Sequence, residues 1–385
     1  MVEPLPERGL SSVVGALNLR RWAVSLLQSE VPLAPPQVGG FAWSIFLASE
    51  RCGAVLKQRL GESAGRYPSL VRASARETQR VLVARAQLTW LSRLAASLGL
   101  RLLVLKGGVP VAEGCDTLDL EDLDLLARAN DAHVLEAALE RAGYRASGYR
   151  SAHSLRSRVA PGGVPIEIHL GVLHSGEIPS PAVWRAARPL RGVEGLWALA
   201  PTDHLWHVLL HCTVLHPERR GRLRDLLLIS SGIGRCSPEE EVVLWQRAAG
   251  HPSSVVLLRA LELARALSGR GGPRDDRFVE EAARRYVLAE WFLRYRLPGS
   301  LEDGVGVVLV NRLFGTRPPL PRTGLGESRF RHIAWLERQA PRLARVWRTL
   351  LQLAGGAAAS AVAWPLGILL RGRAARALAA YQGAA

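Results

Sequence analysis

Lysine is nearly missing from this chain of 385 residues: of its fifty basic residues, only Lys57 and Lys106 are lysines. Cysteine is scarce too. Cys52, Cys115, Cys212 and Cys236 are far apart, and none forms a CxxC pair. That spacing excludes a zinc ribbon and a disulfide scaffold, and it fits a reducing cytoplasm. An uninterrupted apolar run is lacking at the N-terminus, because Glu3, Glu7, Arg8, Arg20 and Arg21 break it. No secretory signal is therefore expected. No internal repeat is visible, and no recognisable RNA-binding module.

Apolar residues and arginine are abundant. Apolar types make up 48% of the chain at a mean hydropathy of +0.07, enough for two or three packed units and not a disordered composition. The net charge is +16. Arginine that accompanies Ala, Gly, Leu and Val points to GC-rich coding, yet a basic surface still attracts phosphates, nucleic acid or anionic lipid. Between Arg317 and Arg376, eleven arginines face only Glu327 and Glu337, with Trp335, Trp347 and Trp364 among them. A helical tail with solvated arginines is expected there. Contact with an anionic membrane surface is the alternative, ahead of nucleic acid. Residues 351–370 have the length of a bilayer span, but Gln352, Ser360, Pro365 and many Ala and Gly favour a buried or interfacial helix. The expected location is the cytoplasm, with peripheral contact at the inner face of the membrane as its variant.

Apolar spacing predicts helices over 10–27, 41–60 and 73–98. The pattern then changes. Residues 102–105 read as a buried strand opening into the tight turn Lys106-Gly107-Gly108. Residues 122–126 alternate acid and leucine. A helix capped by Asp131 runs to about 142, and strands are expected over 144–150, 154–160 and 164–170. From Pro201 the chain reads as helical, at 223–231, 238–248, 253–268, 276–294 and 329–352. Four parts result: a helical region 1–98, a core 99–195, a helical domain 196–315 covering the cleft, and an Arg-rich helical tail 316–385.

Chemistry-bearing residues concentrate in the core. Side chains repeat every two residues along a strand, so Asp122 and Asp124 share a face. Two carboxylates on one face repel, and water or a divalent cation relieves that. Magnesium suits such oxygen ligands and bridges them to substrate phosphates. A glycine pair lets backbone N–H groups approach those phosphates. Glu167, on a later strand, adds a third carboxylate for a second ion or for the acceptor's proton. His169 shares its face and could orient it or move a proton. Lys106 offers a compact ammonium where a planar guanidinium would not fit. Glu121 should face the opposite side and be solvated.

Together, Leu103-Val104-Leu105-Lys106-Gly107, Asp122-Leu123-Asp124-Leu125-Leu126 and Glu167-Ile168-His169 resemble the DNA polymerase β-type nucleotidyltransferase superfamily. Its pattern is hG[GS], then Dh[DE]h, then h[DE]h. More narrowly, the chain is similar to the bacterial uncharacterised nucleotidyltransferases over roughly 35–235. The resemblance implies an α+β fold with a small mixed sheet and flanking helices. It implies transfer of an NMP from an NTP to an unidentified acceptor, with release of pyrophosphate. It carries over Asp122, Asp124 and Glu167 as metal ligands and catalytic residues, with Asp122 and Asp124 holding both magnesium ions and Glu167 completing one site, and Gly107 and Gly108 as the phosphate loop, with Lys106 beside it. Gly108 stands where the superfamily often has serine.

His204, His207 and His211 are spaced to share a helix face, and two readings stand: a zinc site, or the lining of the cleft. Arg224 is placed to reach a phosphate, and His153 to neighbour the sheet. Rival functions are sugar transfer from a nucleotide-sugar, since DxD also binds those diphosphates, and a non-catalytic role in a biosynthetic cluster or a toxin–antitoxin pair.

Overall fold

Glycine and proline punctuate the first hundred residues, and four helices fall between them: α1 (Arg8–Gln28), α2 (Gly40–Glu50), α3 (Gly53–Leu60) and α4 (Pro68–Leu98). These come from a computed structural model that describes residues 8–147, 154–171, 181–270, 278–294, 309, 313–314 and 365–383. Pro68 opens α4, where its missing N–H costs nothing, and Gly99 closes it at a left-handed φ of 65°. The single helix expected over 41–60 is two. Arg51 between them takes a left-handed φ of 50°, and its Nε donates to Asp119 Oδ2 at 2.6 Å. A tertiary ion pair thus ends α2 where the local pattern does not.

The core follows as β1 (Leu102–Val104), α5 (Gly108–Ala112), β2 (Leu123–Leu126), α6 (Ala129–Arg141), β3 (Arg145–Ser147), β4 (Ser157–Val159), β5 (Ile166–His169), α7 (Pro181–Ala186), β6 (Arg188–Pro189) and β7 (Leu196–Ala198). Asp131 lies in the first turn of α6 rather than at its cap, which is Arg128. Among the described residues the strands form one sheet in the order β3-β4-β5-β2-β1-β7-β6. The pairs β1–β7 and β2–β5 are parallel, and β1–β2 is antiparallel, as are the pairs toward both edges. The fold is α+β, a mixed sheet with many helices. Helices α8 (Pro201–Leu210), α9 (Leu223–Ile233), α10 (Pro238–Ala249), α11 (Ser254–Leu267) and α12 (Val279–Arg294) follow.

Alternation along the strands sorts the side chains. Leu102 and Val104, Leu123 and Leu125, Ile166 and Ile168, and Leu196 and Ala198 join one core with Leu88 and Leu91 of α4 and Leu135 and Leu139 of α6. Each buried Leu or Ile contributes about 1.5–3 kcal/mol. The odd-phase residues Leu103, Leu105 and Leu126 pack instead with Trp184 and Leu199. The polar residues of β2 and β5 fall in this second phase.

The chain divides into two compact units, Asn18–Phe278 and Met1–Leu17 with Val279–Ala385. In the larger, the buried Arg20 Nη1 pairs with Glu50 Oε1 at 2.8 Å. Arg20 Nη2 donates to the Gly221 carbonyl, and the Leu223 N–H donates to Glu50 Oε2. The entry to α9 is thereby tied to α1 and α2. In the smaller, Arg373 is buried against Glu290 at 2.7 Å rather than solvated. Among the described residues no helix is long and apolar enough to cross a membrane. Most of the Arg-rich segment, including Trp335, Trp347, Trp364 and residues 351–364, lies outside the described residues, as does the helix expected over 329–352.

Candidate active site

Strand phase brings the acids together. With Leu123 and Leu125 in the core, Asp122 and Asp124 project to the other face. The parallel register of β2 and β5 sets Asp124 beside Glu167 and Leu126 beside His169. His169 Nε2 lies 2.7 Å from Asp124 Oδ1 and 3.6 Å from Glu167 Oε2. Asp124, Glu167 and His169 offer donor atoms all within 4.8 Å of one another.

The turn after β1 supplies the counter-charge. Lys106 has a left-handed φ of 47°, unusual for a residue with a side chain and costing about 1–2 kcal/mol. Its Nζ donates to Asp124 Oδ1 at 2.6 Å. The His204 ring approaches the Lys106 carbonyl through Nε2 at 3.2 Å, and since a carbonyl only accepts, Nε2 carries the proton. Gly107 lines the cavity, and a Cβ there would come within 3.3 Å of Arg224 Nη2. Gly108 differs. It does not line the cavity, its N–H is spent on the Leu105 carbonyl, and a Cβ would meet Val104 Cγ1 at 2.6 Å. Close packing accounts for the glycine at that position, and it leaves no room for a serine.

An open cavity joins Lys106, Gly107, Asp122, Asp124 and Glu167 to His211, Cys212, His216, Arg219, Arg224 and Leu228. The second group comes from the stretch after α8 and from α9. Helix α8 ends in a π-helical turn at His211–Leu215, a form that often marks functional sites. Arg224 is held by two bonds: Nε donates to the Asp119 carbonyl at 2.8 Å and Nη1 to Asp225 Oδ1 at 2.6 Å. Its Nη2 is left facing Gly107.

Charge in the site is uneven. Burial pushes the Asp122 carboxyl up to about 6, with the charge of Asp124 adding to it. Burial works the same way on Asp124, but the Lys106 ammonium and the His169 hydrogen bond outweigh it and hold the group well below the usual carboxylate range. Asp124 is therefore ionised and can only accept, so His169 Nε2 donates to it and is not open to a metal while that bond stands. Despite burial, Lys106 is held above its ordinary value by Asp124 and Asp122. The histidines behind it are neutral. Burial brings His204 down to about 3, and it brings His207 and His211 well below their ordinary range.

Some expected neighbours fall elsewhere. Glu121 is not simply solvated: it pairs with Arg51, with Arg219 at 3.2 Å and with Arg222 at 3.8 Å, because the arginine-rich stretch before α9 closes over it. The three helical histidines do not converge. His204 bonds the Lys106 carbonyl, the ring nitrogens of His207 are buried without a partner, and His211 reaches the cavity. His153 lies outside the described residues. Arg219 and Cys212 were not singled out in the sequence. Arg219 sits among many arginines, so composition hides it.

Comparison with known protein families matches residues 54–269 to the family described as uncharacterised nucleotidyltransferase. That is more than half of the chain. The chain belongs to this family. No curated protein and no solved structure matches it. The matched stretch contains β1 through α11 and every residue that lines the cavity. A nucleotidyltransferase-family domain therefore carries the site. The carboxylates of Asp122, Asp124 and Glu167 fit a hard divalent cation, which prefers oxygen donors. Asp122 has no ion-pair partner among the described residues, and burial, with the charge of Asp124 adding to it, raises its carboxyl, a cost that such a cation would relieve.

Proposed function

We propose that this protein moves a nucleoside monophosphate from an NTP to an acceptor, with loss of pyrophosphate, at the Asp122–Asp124–Glu167 cluster. The observation that carries the reading is the meeting of those three acids with Lys106, Gly107 and Arg224 at one cavity inside the family domain. Carboxylates alone would suit many cations. Carboxylates opposite an arginine and a lysine suit a ligand that brings both a metal and phosphates.

Magnesium bound by Asp122, Asp124 and Glu167 would neutralise charge on the reacting phosphate and on the departing one. The chain's own groups do the rest. Lys106 and the Nη2 of Arg224 hold the phosphates, next to the open backbone at Gly107. Glu167, a third exposed at the side chain, stands where an acceptor hydroxyl or amine can give up its proton. His169 orients Asp124 through Nε2.

The test is direct. The purified protein is incubated with each of the four NTPs and Mg²⁺, and pyrophosphate release is measured. Release with one or more NTPs, abolished by EDTA, supports the reading. Release of a nucleoside diphosphate from a sugar nucleotide, with no pyrophosphate from any NTP, would replace it by sugar transfer.

A further inference from the structure

One oxygen of Asp124 is already fully used. Oδ1 accepts from Lys106 Nζ at 2.6 Å and from His169 Nε2 at 2.7 Å. The lysine is held in this position. Its backbone is pinned in a left-handed conformation, and the His204 ring bonds its carbonyl. The Lys106 side chain is 12% exposed and that of Asp124 3%, so solvent screens the pair little. A metal ion approaching Asp124 meets an ammonium that is already bonded to it. At such close range inside a protein, two positive charges repel far more strongly than they do in water.

We propose that Lys106 is the resident counter-cation of the carboxylate cluster. It holds Asp124 in place while the site is empty, and it turns to the phosphates when nucleotide arrives, so that metal and nucleotide enter together rather than metal first. The inference rests on the proposed nucleotidyl transfer at this site. Lysine suits the role better than arginine. Its ammonium is a compact donor on a flexible stem that can swing from one anion to another, whereas a guanidinium prefers a fixed bidentate pairing. In a chain with only two lysines, one stands here. The anions it would swing toward have other donors nearby, since Gly107 and Arg224 lie beside it on the same cavity. Lys106 should have opposite effects on the two ligands: its removal should strengthen metal binding and weaken nucleotide binding.

The experiment measures Mn²⁺ binding by electron paramagnetic resonance on the nucleotide-free chain, wild type, Lys106→Met, Lys106→Arg and Asp124→Asn. Methionine matches the lysine stem without its ammonium and carries the same left-handed penalty, and thermal melts confirm that each variant folds. Lys106→Met should bind Mn²⁺ at least about tenfold more tightly than wild type, a change equivalent to about 1.4 kcal/mol. Lys106→Arg, which keeps the charge, should stay near wild type. The same Lys106→Met chain should bind a non-hydrolysable NTP analogue more weakly. Mn²⁺ binding by Lys106→Met that is no tighter than wild type overturns the inference and leaves nucleotidyl transfer standing. Mn²⁺ binding that is absent from every folded form, or indifferent to Asp124→Asn, removes the metal site itself and this inference with it.

Discussion

Four acids lie within six residues of one another, and the protein treats them in two ways. Asp119 is fully buried and saturated: Arg51 donates to it at 2.6 Å, and Arg80 donates twice at 2.8 Å. Glu121 next to it pairs with Arg51, Arg219 and Arg222. Asp122 and Asp124, one and three residues further on, face the cavity and share mainly one ammonium, with Glu167 adding a third negative charge. Neutralised acids hold loops together, and under-neutralised acids line the cavity. The backbone links the two sets, because Arg224 bonds the Asp119 carbonyl and reaches the cavity with its free nitrogen.

The comparison breaks most visibly at Asp119. Asp119→Ala should destabilise the chain by about 3–5 kcal/mol in urea unfolding, since it strands Arg80 without a partner and leaves Arg51 with Glu121 as its one remaining acid. A change under 1 kcal/mol would mean that the cluster is not structural. Asp122→Asn should act in the opposite direction. A carboxyl raised to about 6 contributes stability that is present below its unfolded value and lost as pH rises through 6. The metal-free variant should therefore be more stable than wild type by up to about 3 kcal/mol at pH 7.5, and the gap should close by pH 4. A constant gap across that range would show that Asp122 is not short of positive charge. Gly108→Ser should cost about 1–3 kcal/mol, measured the same way, because Val104 has no room for the new side chain. Equal stability with tighter nucleotide binding would show that the loop can open to use the hydroxyl. The smallest effect belongs to Glu77 of α4, buried against the start of α3, where it accepts from the Ala54 N–H. Burial lifts it to about 7, so the wild type should lose about 0.4 kcal/mol between pH 7 and pH 8 that Glu77→Gln keeps.

Much of the sheet is legible without coordinates. The acid–leucine alternation at 122–126 can only place Leu123 and Leu125 on one side and Asp122 and Asp124 on the other, and β2 is built that way. The turn at Lys106 announces itself by two glycines. Helix endings set by distant partners are not legible, and Arg51 breaks a continuous apolar pattern only because Asp119 and Glu121 lie across the fold. Strand β7 escapes for another reason. Leu196–Ala198 is three residues long and apolar throughout, so period alone cannot separate it from a helix, yet it pairs with β1 along its whole length. At the site, local spacing brings out the acids and the glycine turn. The basic half comes from α9 and the turn before it, about a hundred residues away from Lys106, and no local pattern singles out Arg219 among so many arginines. Nor does spacing show that Lys106 and His169 meet on the same oxygen of Asp124, because that depends on the side-chain geometry of two strands and a strained turn.

The most direct measurement is Mg²⁺-dependent pyrophosphate release by wild type and by Asp124→Asn, with thermal melts to show that both fold. Wild type should release pyrophosphate from at least one NTP, and Asp124→Asn should fall by at least about a hundredfold, the scale on which removing one charge-stabilising group slows an enzyme. Undiminished release from a folded Asp124→Asn chain would contradict the claim that these carboxylates carry the chemistry.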